Sequence, residues 1–269
     1  MTSTETGTPS PRTSPFRHAE SDRDAAPQFV LPMVVRIEKA APPTRTDALE
    51  TAARAVLVLL SDERATAEGG EWTQAVRDWQ DARIRKVVRR ARGADWRRAA
   101  GLPGITVTGR TPATATAENG DGDGDGAPSA AEVRVFPPVP LDGWPKELAK
   151  LQVSGTDLDD PEPPAAPDLT GPVLWLSPHV RMSAGKAMAQ AGHGAQLAWW
   201  ELDDAARAAW RGAGFPLAVR TASAERWDEL TRSGLPVVRD AGFTEIAPGL
   251  TVAVEGGSRF CPLPRKPRR

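Results

Sequence analysis

One order of elements, strand–helix–helix–strand–helix–strand–strand, can be read twice along this chain, and that limits its fold more than any other feature. In the first pass, Phe29–Val35 is the apolar centre of a strand within Gln28–Lys39. Thr44–Leu60 follows as a helix, with Thr46 or Asp47 as its cap and Leu49, Ala52, Ala53, Val56 and Leu60 on one face. Trp72–Arg83 is helical, Ile84–Arg90 a strand, Asp95–Ala100 a short helix, and Gly104–Thr108 and Glu132–Phe136 are strands. In the second pass, Val173–Leu176 is a strand, Gly185–Trp200 and Asp203–Arg211 are helices, and Pro216–Arg220 is a strand. Ala224–Ser233 is then a helix, and Leu235–Arg239 and Leu250–Val254 are strands. Residue identities follow the same order. Val87-Val88-Arg89, Trp96 and Leu102-Pro103 parallel Ala218-Val219-Arg220, Trp227 and Leu235-Pro236, and Trp79 precedes the first set as Trp210 precedes the second. The expectation is an α/β protein of two tandem related units, 28–137 and 171–257, each a mixed sheet with helices on both faces.

The segments outside these units have a different composition. Residues 1–27 are Ser, Thr, Pro and charge and read as a disordered tail. Residues 111–131, with alternating Asp and Gly from Gly120 to Gly126, read as a flexible loop. The alternation resembles a calcium loop superficially, but it lacks that loop's spaced apolar and final glutamate positions. Residues 138–170 form a Pro/Asp-rich linker with one short helix near Pro145–Leu151, and residues 258–269 form a basic tail. No run approaches the ~18 apolar residues that cross a bilayer, so no membrane association is expected and the cytoplasm is the default location. A single cysteine, Cys261, excludes an intramolecular disulfide, and three histidines argue against a metal site. Net charge is −1, yet arginines and lysines crowd 83–98 and 265–269, where they can contact phosphate or serve as solvated faces.

The most informative local stretch is Met182-Ser-Ala-Gly-Lys-Ala-Met-Ala-Gln-Ala-Gly-His-Gly-Ala195, which reads as a tight loop entering a helix. Gly185 permits a sharp turn or a close ligand. Lys186 sits at the helix start, where it opposes the helix dipole and is a poor choice for helix stability alone. Lys186, Gln190, His193 and Leu197 fall on one stripe, and Ala187, Ala191, Gly194 and Ala198 form a small-residue stripe beside it. The polar stripe has the character of a site and the small stripe that of its mounting on a sheet.

Met182-x-x-Gly-Lys-x-x-Ala-Gln-x-x-His193, followed by Asp240-Ala-Gly-x-Thr-x-Ile-Ala-Pro-Gly249 and a Thr-Val strand, resembles the archaeal/eukaryotic type of peptidyl-tRNA hydrolase. The resemblance spans residues 171–257. It implies a four-stranded mixed sheet flanked by helices, dimer-like pairing, no metal or other cofactor, and hydrolysis of the ester joining a peptide to tRNA. The matching catalytic positions are Lys186, Asp240 and Thr244. Asp240 would orient or deprotonate water, Thr244 would donate a hydrogen bond, and Lys186 would hold a phosphate or the developing oxyanion. Arg181, Gly185, Gln190 and His193 are the candidate substrate-binding residues. Four of them have a plainer reading: Lys186 as a surface lysine, Asp240 as a loop cap before Gly242, Thr244 as a buried strand or turn hydroxyl, and His193 as a packed helix histidine.

The chain departs from the family pattern at Ser177–Arg181, which stands for its Arg/Asp-bearing strand end. It departs again at Ser183-Ala184, which stands for its lysine-rich loop, and at Met188 and Gly194. The first unit offers Asp47, Thr51 and Arg54 in place of Lys186, Gln190 and His193, so it reads as catalytically silent. Peptidyl-tRNA is the expected partner, with either intrachain pairing of the two units or a homodimer. The rival expectations are a non-catalytic tRNA- or ribosome-associated binding module and a protein–protein scaffold.

Overall fold

The computed structural model describes residues 27–110, 128–167, 170–242 and 245–256. The expected tail 1–27 except for its last residue, most of the loop 111–131, Thr244, Cys261 and the basic tail lie outside them.

The first half comprises β1 (Phe29–Arg36), α1 (Arg45–Leu60), α2 (Glu63–Thr66), α3 (Thr73–Asp81), β2 (Arg85–Ala91), α4 (Gly93–Ala100), β3 (Ile105–Thr108), β4 (Glu132–Val135), β5 (Val139–Pro140) and α5 (Lys146–Ala149). The second comprises β6 (Val173–Leu176), α6 (Ala184–Glu201), α7 (Asp204–Gly212), β7 (Ala218–Thr221), α8 (Ala224–Arg232), β8 (Val237–Asp240) and β9 (Gly249–Glu255). The chain is mixed α/β, with two mixed sheets. Their strand orders are β2-β1-β4-β3, with β5 also on β1, and β7-β6-β9-β8. In both, the first strand runs parallel to one neighbour and antiparallel to the other. β1 passes from β4 at Met33–Val35 to β5 at Phe29–Val30. Pro32, which has no N–H to give, falls between those two antiparallel partners.

Local arrangements recur as well. Trp79 Nε1 donates to the Arg85 carbonyl at 2.8 Å, and Trp210 Nε1 to the Pro216 carbonyl at 3.0 Å. Ile84 and Phe215, each five residues after its tryptophan, hold φ of 45° and 53°. A left-handed conformation costs a non-glycine residue about 1–2 kcal/mol, so both turns rely on the buried tryptophan to fix them. Each long helix is capped three residues ahead of the compared positions: the Thr44 side chain accepts from Asp47 N, and Ser183 from Lys186 N. Thr44, not the expected Thr46 or Asp47, is therefore the cap of α1, because Thr44 is the last extended residue before the first turn.

The two halves share one core. Buried side chains run without a break from Leu31 and Met33 through Val56 and Leu57 to Met188, Leu174 and Val252. α1 lies against α6, α6 also reaches β2, and α1 reaches β7, so the contact is reciprocal. A Cβ on Gly192 would stand 3.0 Å from Val56 Cγ2, so glycine allows the two helices their approach. Glu50 on α1 crosses to the other half, accepting from Arg220 Nη1 at 2.8 Å and Val219 N at 3.2 Å.

The Pro/Asp-rich linker is a packed strap. Its Gln152 carbonyl accepts from Arg90 N at 3.0 Å, its Thr156 carbonyl from Ala184 N at 3.1 Å, and its Asp160 carboxylate from Thr46 N and Oγ1 at 2.8 and 2.7 Å. Thr156 is fully buried, and Leu158 joins the core. Among the described residues, no helix is long and apolar enough to cross a membrane.

Candidate active site

α6 rests on its sheet through small residues. Ala187, Ala191 and Ala198 are buried, and a Cβ on Gly194 would come within 2.9 Å of Val252 Cγ1. The adjacent polar stripe then faces the end of β8. Lys186 Nζ lies 2.6 Å from Asp240 Oδ2, and both side chains are nearly buried. Gln190 Nε2 donates to the same oxygen at 2.7 Å. Gln190 is itself oriented by Thr251, whose hydroxyl donates to Gln190 Oε1 at 2.6 Å. The other carboxylate oxygen, Asp240 Oδ1, accepts from Gly242 N at 2.8 Å. This last contact is the loop cap foreseen as the plainer reading of Asp240, and it coexists with the ion pair. Gly242 has φ of 79°, and a Cβ there would stand 2.5 Å from Pro248 Cδ, so this turn requires glycine.

The loop after β8 is tied to the start of α6. Glu245 accepts from Ser183 N at 2.5 Å and from Ser183 Oγ at 2.6 Å, placing a carboxylate at the helix N-terminus, where it is favoured. Gly185 sits in the first turn of α6; a Cβ there would stand 3.3 Å from Thr156 Oγ1 of the strap. Lys186, Gln190, His193, Gly185 and Asp240 all line one cavity of about 810 Å³. Arg181 is exposed on the preceding loop and is not among the lining residues. Thr244 lies outside the described residues.

The cavity's opposite wall comes from β2 of the other half. Lys86 Nζ reaches His193 Nδ1 at 3.1 Å, Gln196 Oε1 at 2.6 Å and the Ile84 carbonyl at 3.3 Å, and lies 4.7 Å from the Trp79 ring centre. Burial pushes the Lys86 ammonium well below its ordinary value. Burial first, then the charges of Lys86 and Lys186, hold the His193 imidazole well below its own. His193 Nδ1 is thus engaged by Lys86, and burial disfavours the charged form of the ring.

Lys86, Thr251 and Glu245 are the residues of this site that sequence reasoning missed. Lys86 carried a signal. It lies two residues before Val88 in β2, so it shares that residue's buried face. The surrounding basic run masked this. In that run Arg89 donates to the carbonyls of Ala149 and Leu151, and Arg90 to Ser154, so both hold the strap, while Arg92, Arg97 and Arg98 are exposed. Among the described residues, no cluster of His, Cys, Asp and Glu is arranged to hold a metal.

The arrangement offers a carboxylate with acceptor capacity left on Oδ1, an ammonium beside it, and a half-open space partly lined by Val87, Leu197 and Val237. Comparison with protein-family models, curated proteins and solved structures finds no match to this chain.

Proposed function

We propose that this cavity hydrolyses the ester bond of peptidyl-tRNA or another N-blocked aminoacyl-tRNA. The observation that carries the reading is the Lys186–Asp240 pair, held by Gln190 and Thr251 on a cavity wall. A water bound to Asp240 Oδ1 attacks the ester carbonyl carbon. Lys186 offsets the charge that develops on the carbonyl oxygen or holds a neighbouring phosphate. The bond to the ribose oxygen breaks, and the water's proton passes to the departing hydroxyl. A modest site suffices, because positioning and charge stabilisation supply most of what ester hydrolysis needs. The residue pattern that resembles the archaeal/eukaryotic peptidyl-tRNA hydrolases names the substrate.

The halves are on this reading tandem related units, paired within one chain as family dimers pair between chains. The shared strand order, the twin Trp–carbonyl bonds and the reciprocal helix contact support this. The second reading, a tRNA- or ribosome-associated binding module without turnover, draws on the exposed Arg92, Arg97 and Arg98 beside the cavity-lining β2. Incubating purified protein with N-acetyl-aminoacyl-tRNA separates the two. Release of the acyl group supports the enzyme. Salt-sensitive binding of intact tRNA without release supports the module, and neither outcome would leave a protein–protein scaffold.

A further inference from the structure

The first half keeps a cavity where the second has its site, but with different chemistry. About 430 Å³ of space lies between α1, the end of β3 and the end of α7. Counting from the helix caps, Arg54 there takes the place of His193, and Thr108 ends β3 as Asp240 ends β8. Asp47, in the place of Lys186, is turned to the backbone: it accepts from Arg110 N at 2.9 Å and Ala131 N at 2.8 Å. What remains around the space is cationic. Arg54, Arg110 and Arg211 all line it.

Arg54 is the decisive group. Its side chain is 7% exposed, and its Nη2 donates to Thr51 Oγ1 at 2.8 Å. Its Nη1 is buried and has no hydrogen-bond acceptor among the described residues. The Glu50 carboxylate is 3.9 Å from Nη1 and is bonded to Arg220; the Asp47 carboxylate is 3.8 Å from Nη2. The one acid that lines the cavity among the described residues, Asp62, is already paired with Arg64 at 2.8 Å. Burial pushes the Arg54 guanidinium below its usual value, as expected of a charge whose neighbours do not fully satisfy it. A guanidinium stays protonated, so the favourable answer is an anion with several acceptor oxygens.

We propose that the cavity between Arg54, Arg110 and Arg211 is a second ligand site that takes a phosphate group, from either a free nucleotide or a tRNA backbone. Arg54 Nη1 donates from the buried end, and Arg110 and Arg211 close on the outer oxygens. The site does not depend on whether the other half hydrolyses anything. It turns the catalytically silent half into a binding half.

The test uses the full chain with three probes: inorganic phosphate and AMP by calorimetry, and deacylated tRNA by fluorescence anisotropy over a salt series. Arg110 and Arg211 are exposed, so Arg110→Glu and Arg211→Glu keep the fold where Arg54→Ala could lose it. Each reversal is expected to weaken binding about tenfold or more, as loss of a charge-assisted contact does, while Arg232→Glu, at an exposed arginine of α8 that lines neither cavity, leaves AMP and phosphate binding unchanged. Binding of AMP or phosphate identifies a small-ligand site; binding of tRNA alone, with a shallower salt slope in Arg211→Glu, identifies backbone phosphate. Either result supports the site. Indifference of all three probes to both reversals overturns it. So does phosphate binding that emerges only when residues 111–127 are replaced by a neutral linker, since the chain's own acidic run would then be the occupant.

Discussion

Lys186 and Asp240, 54 residues apart in sequence, meet at 2.6 Å with side chains only 13% and 11% exposed. Neither is placed by its own element alone. Ser183 caps the helix that carries Lys186, and Gly242 caps the carboxylate of Asp240. Removing one partner strands the other in a poorly hydrated place. Lys186→Met and Asp240→Asn are each expected to lower unfolding free energy by about 2 kcal/mol, with the double variant costing less than the sum. Denaturant titration of the four proteins measures this; simple additivity would mean the pair is not coupled.

Thr251 is expected to matter more than a strand hydroxyl usually does. It is fully buried and is the donor that orients Gln190, which in turn holds Asp240 Oδ2. Thr251→Val keeps the volume and leaves Gln190 Oε1 without that donor. The expected cost is about 1–3 kcal/mol of stability, together with a slower kcat at unchanged KM for the proposed hydrolysis. Loss in Thr251→Ser with none in Thr251→Val would point to packing rather than the hydroxyl.

Much of the scaffold was readable because it is written in short-range pattern. The strand and helix runs, the Trp79/Trp210 correspondence and the Lys186–Gln190–His193 stripe all follow from residue spacing. The closure of the site was less readable. Thr251 is 61 residues from Gln190, and Lys86 is 107 from His193. Those contacts depend on how two sheets and two helices dock, which local periodicity does not encode. The linker misled by composition. Its prolines and aspartates suggested a tether, but Thr156, Leu158 and Asp160 bind it to both long helices.

Lys86 and His193 give the protein a pH signature. Both folded values are depressed, so between each folded value and the ordinary one the unfolded chain binds more protons than the folded chain. Stability therefore rises with pH across each window, which ends near 6.5 for His193 and near 10.5 for Lys86. Lys86→Met is expected to flatten the rise below the upper limit, and His193→Gln to reduce the loss on acidification below the lower one. Thermal melts across pH read both slopes, and an unchanged profile in both variants would contradict the burial argument.

Gly242→Ala tests the loop that carries Asp240. The φ of 79° and the 2.5 Å approach to Pro248 Cδ leave no room for a methyl group. Strain of about 1–2 kcal/mol is expected from the backbone alone, relieved by displacement of the loop. The proposed hydrolysis is expected to fall further than stability does. Parallel rate and denaturation measurements check this, and a full rate at reduced stability would separate the turn from the chemistry.

The direct test of the proposed activity is the rate of acyl release from N-acetyl-aminoacyl-tRNA by wild type, Lys186→Ala and Asp240→Asn at equal folded concentration. The expected result is release by wild type and a loss of about tenfold or more in each variant, the scale of removing a group that acts in the transition state. Equal rates in all three proteins, or none in wild type under conditions where it binds tRNA, would contradict it.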